Sequence, residues 1–159
     1  MLRTVVTWAA VLLLLAGCDP DRIYEQNVEL PGGDWYIDNA PVLEFEIEDT
    51  TAAYNIFFNV RYNLQYDYYN LYLRHQLVGP DGRQLSASLH ELLLMDPKTG
   101  KPLGSGFSDT YDLQTLALKE VRFPKAGTYK LKLTQYMRRD PLPQVLAVGA
   151  RVAKASGQR

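Results

Sequence analysis

The chain has 159 residues with 17 basic and 18 acidic side chains, a formal charge of −1, so no strong field draws it to nucleic acid or to an anionic membrane surface. Its single cysteine excludes a disulfide framework. Two histidines and that lone cysteine leave few groups for a metal centre or an acid–base enzyme.

Residues 1–17 read as a secretory signal. Arg3 precedes an apolar run from Val5 to Leu15, too short to span a bilayer comfortably, and small residues Ala16 and Gly17 stand before Cys18. Leu15-Ala16-Gly17-Cys18 resembles the bacterial lipobox, which implies cleavage between Gly17 and Cys18, a diacylglyceryl group on the Cys18 thiol and an N-acyl chain on its amine. One acyl chain is marginal at about 0.8 kcal/mol per buried CH₂, whereas two or three hold stably. Cleavage leaves 142 residues, the 159 less the first 17, enough for one domain with a real core. The polar stretch 18–33 reads as the lipidated N-terminus and a short tether, 34–155 as a single domain and 156–159 as a disordered tail.

Period-two alternation dominates the domain, the mark of strands with one buried face. Val42 to Glu48 sets Leu43, Phe45 and Ile47 against Glu44, Glu46 and Glu48. Tyr54 to Leu64 sends Tyr54, Ile56, Phe58, Val60, Tyr62 and Leu64 one way and a mostly polar set the other. Residues 65–70 then connect to the next strand, which leaves Tyr66, Tyr68 and Tyr69 at a loop or strand end, with Leu71 and Leu73 inward and Tyr72 and Arg74 outward.

Gly79-Pro80-Asp81-Gly82 is a turn sequence that makes a hairpin of its flanks. Pairing Val78 with Arg83 sets His75 against Ser86 and His90 against Leu71, each histidine a half-exposed strand residue. Residues 96–112 are turn-rich, Asp112 to Glu120 suits helix or strand, and Gly127 to Met137 alternates Tyr129, Leu131 and Leu133 against Lys130, Lys132 and Thr134. From Pro143 the alternation is Leu146, Val148, Ala150, Val152. The pattern predicts an all-β, antiparallel β-sandwich of seven to nine strands, immunoglobulin-like or jelly-roll.

Chemistry is sparse. Gly104 to Asp109 has neither a Gly-x-Ser-x-Gly nucleophile turn nor a phosphate loop's Gly-Lys-Ser/Thr ending, so its glycines read as serving tight turns. Asp109 and Asp112 are two carboxylates where Ca²⁺ takes about six to eight oxygens, and no metal is expected. Glu44, Glu46 and Glu48 read as a solvated edge, not a hydrolytic pair. The chain therefore reads as no enzyme, with no cofactor besides the lipid on Cys18. Tyr66, Tyr68 and Tyr69 are one candidate partner contact. Arg138 and Arg139 are another, since arginine suits interface anchors and the prolines after them stiffen the loop.

The lipobox, CDPDRIYEQNVELP, FEIEDTTAAYNIFFNVRYNLQYDYYNLYL, GSGFSDTYD and FPKAGTYKLKLTQYMRRDPLPQVLAVGARV together resemble the gliding motility lipoprotein GldH family of the Bacteroidetes. The most specific block is the last, QYMR followed by PLP and VGxRV. Gln144 departs from it where glycine is expected, and the tyrosine-rich stretch 66–69 is a second departure. The resemblance implies a lipid-anchored protein of the cell envelope, on the outer membrane facing the periplasm. It further implies a non-catalytic interaction subunit of the gliding machinery, tied to the secretion system for surface adhesins, with other envelope proteins of that machinery as partners. The competing expectation is a sandwich that binds glycan or peptidoglycan, which requires Tyr66, Tyr68 and Tyr69 to be exposed and coplanar.

Overall fold

The computed structural model describes residues 19–155; the signal segment, Gly17, Cys18 and the tail 156–159 lie outside the described residues. Eleven strands run in chain order: β1 (Arg22–Glu29), β2 (Asp34–Trp35), β3 (Val42–Ile47), β4 (Ala53–Asn63), β5 (Asn70–Val78), β6 (Gln84–Leu93), β7 (Ser105–Phe107), β8 (Thr110–Arg122), β9 (Gly127–Gln135), β10 (Leu142–Pro143) and β11 (Val145–Lys154). β2, β7 and β10 have only two or three residues, which leaves eight long strands.

One sheet has the order β1-β11-β4-β8-β7 and the other β3-β9-β5-β6, with β10-β2 a small separate ladder. Counting only long strands in chain order, the two sheets read 1-8-3-6 and 2-7-4-5. That is a jelly-roll, two interleaved Greek keys, which decides between the two sandwich types. The pairings within both sheets are antiparallel.

The alternating residues supply the core. Leu43, Phe45 and Ile47 of β3, Tyr54 through Tyr62 of β4 and Tyr129, Leu131 and Leu133 of β9 all close on it. Phe123 packs edge-on to Tyr129 and Tyr54 with ring centroids 4.6 and 5.4 Å away. In β11 the predicted inward set loses Leu146, because a bulge between Val145 and Ala147 turns it aside and buries Val145 instead. Leu64 ends just beyond β4 and is exposed.

Three expectations are corrected. Arg22–Glu29 is no tether: it pairs with β11, and Tyr24 and Val28 pack against the core. The turn-rich stretch 96–112 contains β7 and the start of β8, and while Gly100 takes a left-handed turn at φ 68°, Gly104 and Gly106 serve close approach. A Cβ on Gly106 would stand 2.2 Å from the Thr110 carbonyl oxygen of the facing strand. Finally, the β5–β6 hairpin is offset. Gly79 pairs its N–H with the Arg83 carbonyl at 2.8 Å, and a bulge follows between Leu77 and Val78, so His75 faces Ser88 and His90 faces Leu73.

Strand alternation collects the loops at two poles. Asp19, Asp49, the 79–82 turn and Lys125 share one, tied by Lys154–Asp49 and Lys125–Asp81 ion pairs. Residues 64–69, 94–109 and 136–144 share the other, joined by Leu64 N–H to the Asp109 carbonyl, Leu94 N–H to the Tyr69 carbonyl and an Arg139–Asp67 ion pair of 2.6 Å. Asp19, directly after Cys18, pairs with Arg151 near the end of β11. The first pole is thus the one next to Cys18 in the chain.

Candidate partner-binding surface

The two loops singled out in the sequence meet in space. Arg139 Nη1 binds Asp67 Oδ2, which ties the arginine loop to the tyrosine loop. The five candidate residues then take different roles. Tyr66 is only 5% exposed, and its hydroxyl donates to the Asn70 carbonyl at 3.0 Å; burial pushes its pKa up. It is a structural post, not a contact. Tyr68 and Tyr69 are exposed, and Arg138 projects freely while Arg139 is engaged with Asp67. Tyr66 and Tyr68 meet at 69°, so the three tyrosines do not form the coplanar platform on which a sugar would stack.

Sequence reasoning passed over the other members of this pole. Leu64, Leu103, Phe107 and Tyr136 join Tyr68 and Tyr69 as exposed large apolar side chains, Phe107 at 90%. The opposite pole's turns, 48–52, 79–83 and 123–126, present no exposed large apolar side chain among the described residues. A hint was in the sequence: GSGFSD places an aromatic ring between residues that leave it nowhere to bury.

Beside this pole a groove of about 680 Å³ runs over the outer face of β5 and β9. Arg74, Gln76, Lys132 and Thr134 form its floor, with Ile37, Asp38, Tyr136, Met137 and Arg138 around them. Buried Gln135 fixes the loop that carries Arg138, donating to the Arg139 carbonyl at 3.0 Å and accepting from the Met137 N–H at 2.8 Å. Asp140 Oδ1 accepts the Ile37 N–H at 3.0 Å and steadies the opposite wall.

The corrected hairpin register also brings the histidines together. His75 Nδ1 and His90 Nε2 stand 2.8 Å apart, His75 Nε2 lies 3.0 Å from Ser86 Oγ, and Ser88 Oγ is within reach of both rings. His75 is fully buried, contrary to its half-exposed expectation. The connectivity is that of a nucleophile, a base and an orienter. Burial, and then the neighbouring His90, holds His75 at about 4, below its ordinary 6.5, and burial also lowers His90. A base so weak is poorly matched to activating a serine near neutral pH. The cluster is a satisfied polar core element under Phe58, whose ring meets His90 edge-on at 5.1 Å. No group of three or more metal-ligating side chains converges among the described residues.

Binding residues are disproportionately carried on loops held by a rigid scaffold, and the loops of this pole carry exposed aromatic and basic side chains. Residues 22–152 match the GldH lipoprotein family, and the chain belongs to that family. The gliding motility lipoprotein GldH homolog of Christiangramia forsetii is 28% identical over 159 residues, covering 96% of this chain and 96% of its own. The gliding motility lipoprotein GldH of Flavobacterium johnsoniae is 29% identical over 126 residues, covering 79% of this chain and 76% of its own. A chain from the structure of infectious bursal disease virus Gx strain aligns with 89% of this chain and 34% of its own length, at 14% identity and a TM-score of 0.42, a likeness too loose to bear on function.

Proposed function

We propose that the protein is a non-catalytic interaction subunit of the gliding machinery, anchored in the cell envelope by acyl chains on Cys18. The far pole docks other envelope proteins of that machinery and, through them, the secretion system for surface adhesins. The outer membrane, with the domain facing the periplasm, is the expected address. The observation that supports this reading is the crowding of exposed apolar side chains at the pole opposite Asp19. Such a cluster on one end marks an interaction site. β4, with 11 residues, puts that end about 35 Å from the anchored one at about 3.3 Å per residue.

Photo-crosslinking side chains placed at Tyr69, Phe107 and, as control, Asp81 test the reading in cells. Envelope proteins captured from Tyr69 and Phe107 but not from Asp81, with capture lost in Cys18→Ser, are the expected result. Equal capture from both poles, or full capture without Cys18, would refute it.

A further inference from the structure

The groove on β5 and β9 holds an imbalance of charge. Arg74, Lys132 and Arg138 line it, and none of the three makes an ion pair or side-chain hydrogen bond among the described residues. Elsewhere among the described residues eight basic side chains are paired with carboxylates, at Arg22, Arg61, Arg83, Lys125, Lys130, Arg139, Arg151 and Lys154, and four, Lys98, Lys101, Lys119 and Arg122, are not. The sole acid on the groove is Asp38. A concave surface with one sign of charge in excess concentrates its field on a ligand of the other sign.

Geometry narrows the ligand. Arg74 faces Thr134 and Lys132 faces Gln76, so Arg74 and Lys132 are diagonal neighbours across the two strands. Diagonal neighbours stand about 7–8 Å apart, and an extended peptide sets its i and i+2 side chains about 6.8 Å apart on one face. Ile37 and Met137 supply an apolar wall, Met137 held by its packing on the core and by its Sδ, which accepts the Tyr72 N–H at 3.3 Å. Gln135 locks the Arg138 loop in advance, so little ordering cost falls on binding. Tyr136 is the one ring that lines the groove, with exposed Tyr72 two residues before Arg74 on β5, and three cations rather than stacked rings dominate the lining, which favours an acidic peptide over a neutral sugar.

We infer that the groove receives an extended acidic segment of a partner protein. Carboxylates two residues apart meet Arg74 and Lys132, a further one meets Arg138, and an apolar side chain rests against Ile37 and Met137. The inference rests on the far-pole docking reading and gives that site its chemistry.

The test uses the full chain in detergent micelles and a fluorescent peptide of alternating Glu and Leu, with a Gln/Leu peptide and a uronic acid oligomer beside it. Binding is read by anisotropy at low and high salt, for the native chain and for R74S/K132S/R138S, whose outward positions leave the fold intact by thermal melt. The Glu/Leu peptide should bind at least about tenfold more tightly than the Gln/Leu peptide and lose that margin in the triple variant and at high salt. Equal binding of the two peptides, indifference to the three substitutions, or preference for the uronic acid oligomer would overturn it. If cross-links from Tyr69 and Phe107 persist in cells while the peptide fails to bind, this inference falls and the docking reading stands. Peptide binding that obeys the three substitutions, without far-pole cross-links, places the failure in the docking reading.

Discussion

Gln144 holds φ at 68°, a left-handed backbone that costs a side-chain-bearing residue roughly 1 kcal/mol and glycine nothing. Its carbonyl accepts the Asn63 N–H at 3.0 Å, so the turn cannot relax without losing a rung. This gives a physical reason for the glycine expected after PLP. Gln144→Gly should raise stability by about 0.5–1 kcal/mol, seen as a melting temperature about 2–4 °C higher; Gln144→Val should lower it. Among the tyrosines, Tyr66→Phe strands the Asn70 carbonyl and should cost about 1–2 kcal/mol in urea unfolding. Tyr69→Ala should leave stability within about 0.5 kcal/mol. The sequence could not separate these two, because a loop tyrosine that folds back on its own turn has no periodic signature.

At the scale of elements, legibility followed burial on one face. β3 and β9 alternate cleanly and are readable, since each has one face in the core and one in water; β4 keeps its inward set although Phe57 and buried Asn59 interrupt its second face. β1 was not, because Gln26 lies between its only two core-facing apolar side chains, Tyr24 and Val28. β8 was ambiguous because two register shifts break its alternation, one of them beside Glu120 at φ 52°. The histidine pair depended on a turn that sets Val78 opposite Gln84 and a one-residue bulge after it, which together shift partners by two, preserving faces but changing neighbours. Gly149, in the VGxRV block, faces Asn27 of β1 with no room for a side chain: a Cβ there would stand 2.1 Å from the Gln26 carbonyl oxygen. Gly149→Ala should cost about 1–3 kcal/mol and open residues 22–29 to limited proteolysis before the rest of the domain.

For the whole molecule, the histidine cluster sets a response to acid. The unfolded chain takes up a proton on His75 below its ordinary 6.5, whereas the folded chain refuses it until about 4. Stability is therefore full above about pH 6.5 and declines as pH falls toward 4, by on the order of 3 kcal/mol from His75. His90, lowered by burial, adds in the same direction. Urea midpoints at pH 7.5, 5.5 and 4.5 should fall more steeply for the native chain than for His75→Gln, and parallel curves would contradict this.

The Asp19–Arg151 ion pair fastens the residue that follows Cys18 in the chain to β11, the partner of β1. Under the proposed anchor on Cys18, a pull on the loops that lead into β11 puts tension parallel to two strands whose starts point to opposite poles. Their hydrogen bonds are loaded in shear, so the rungs must yield together and cannot unzip one after another. Anchored as proposed, the jelly-roll is expected to resist traction along its long axis better than across it.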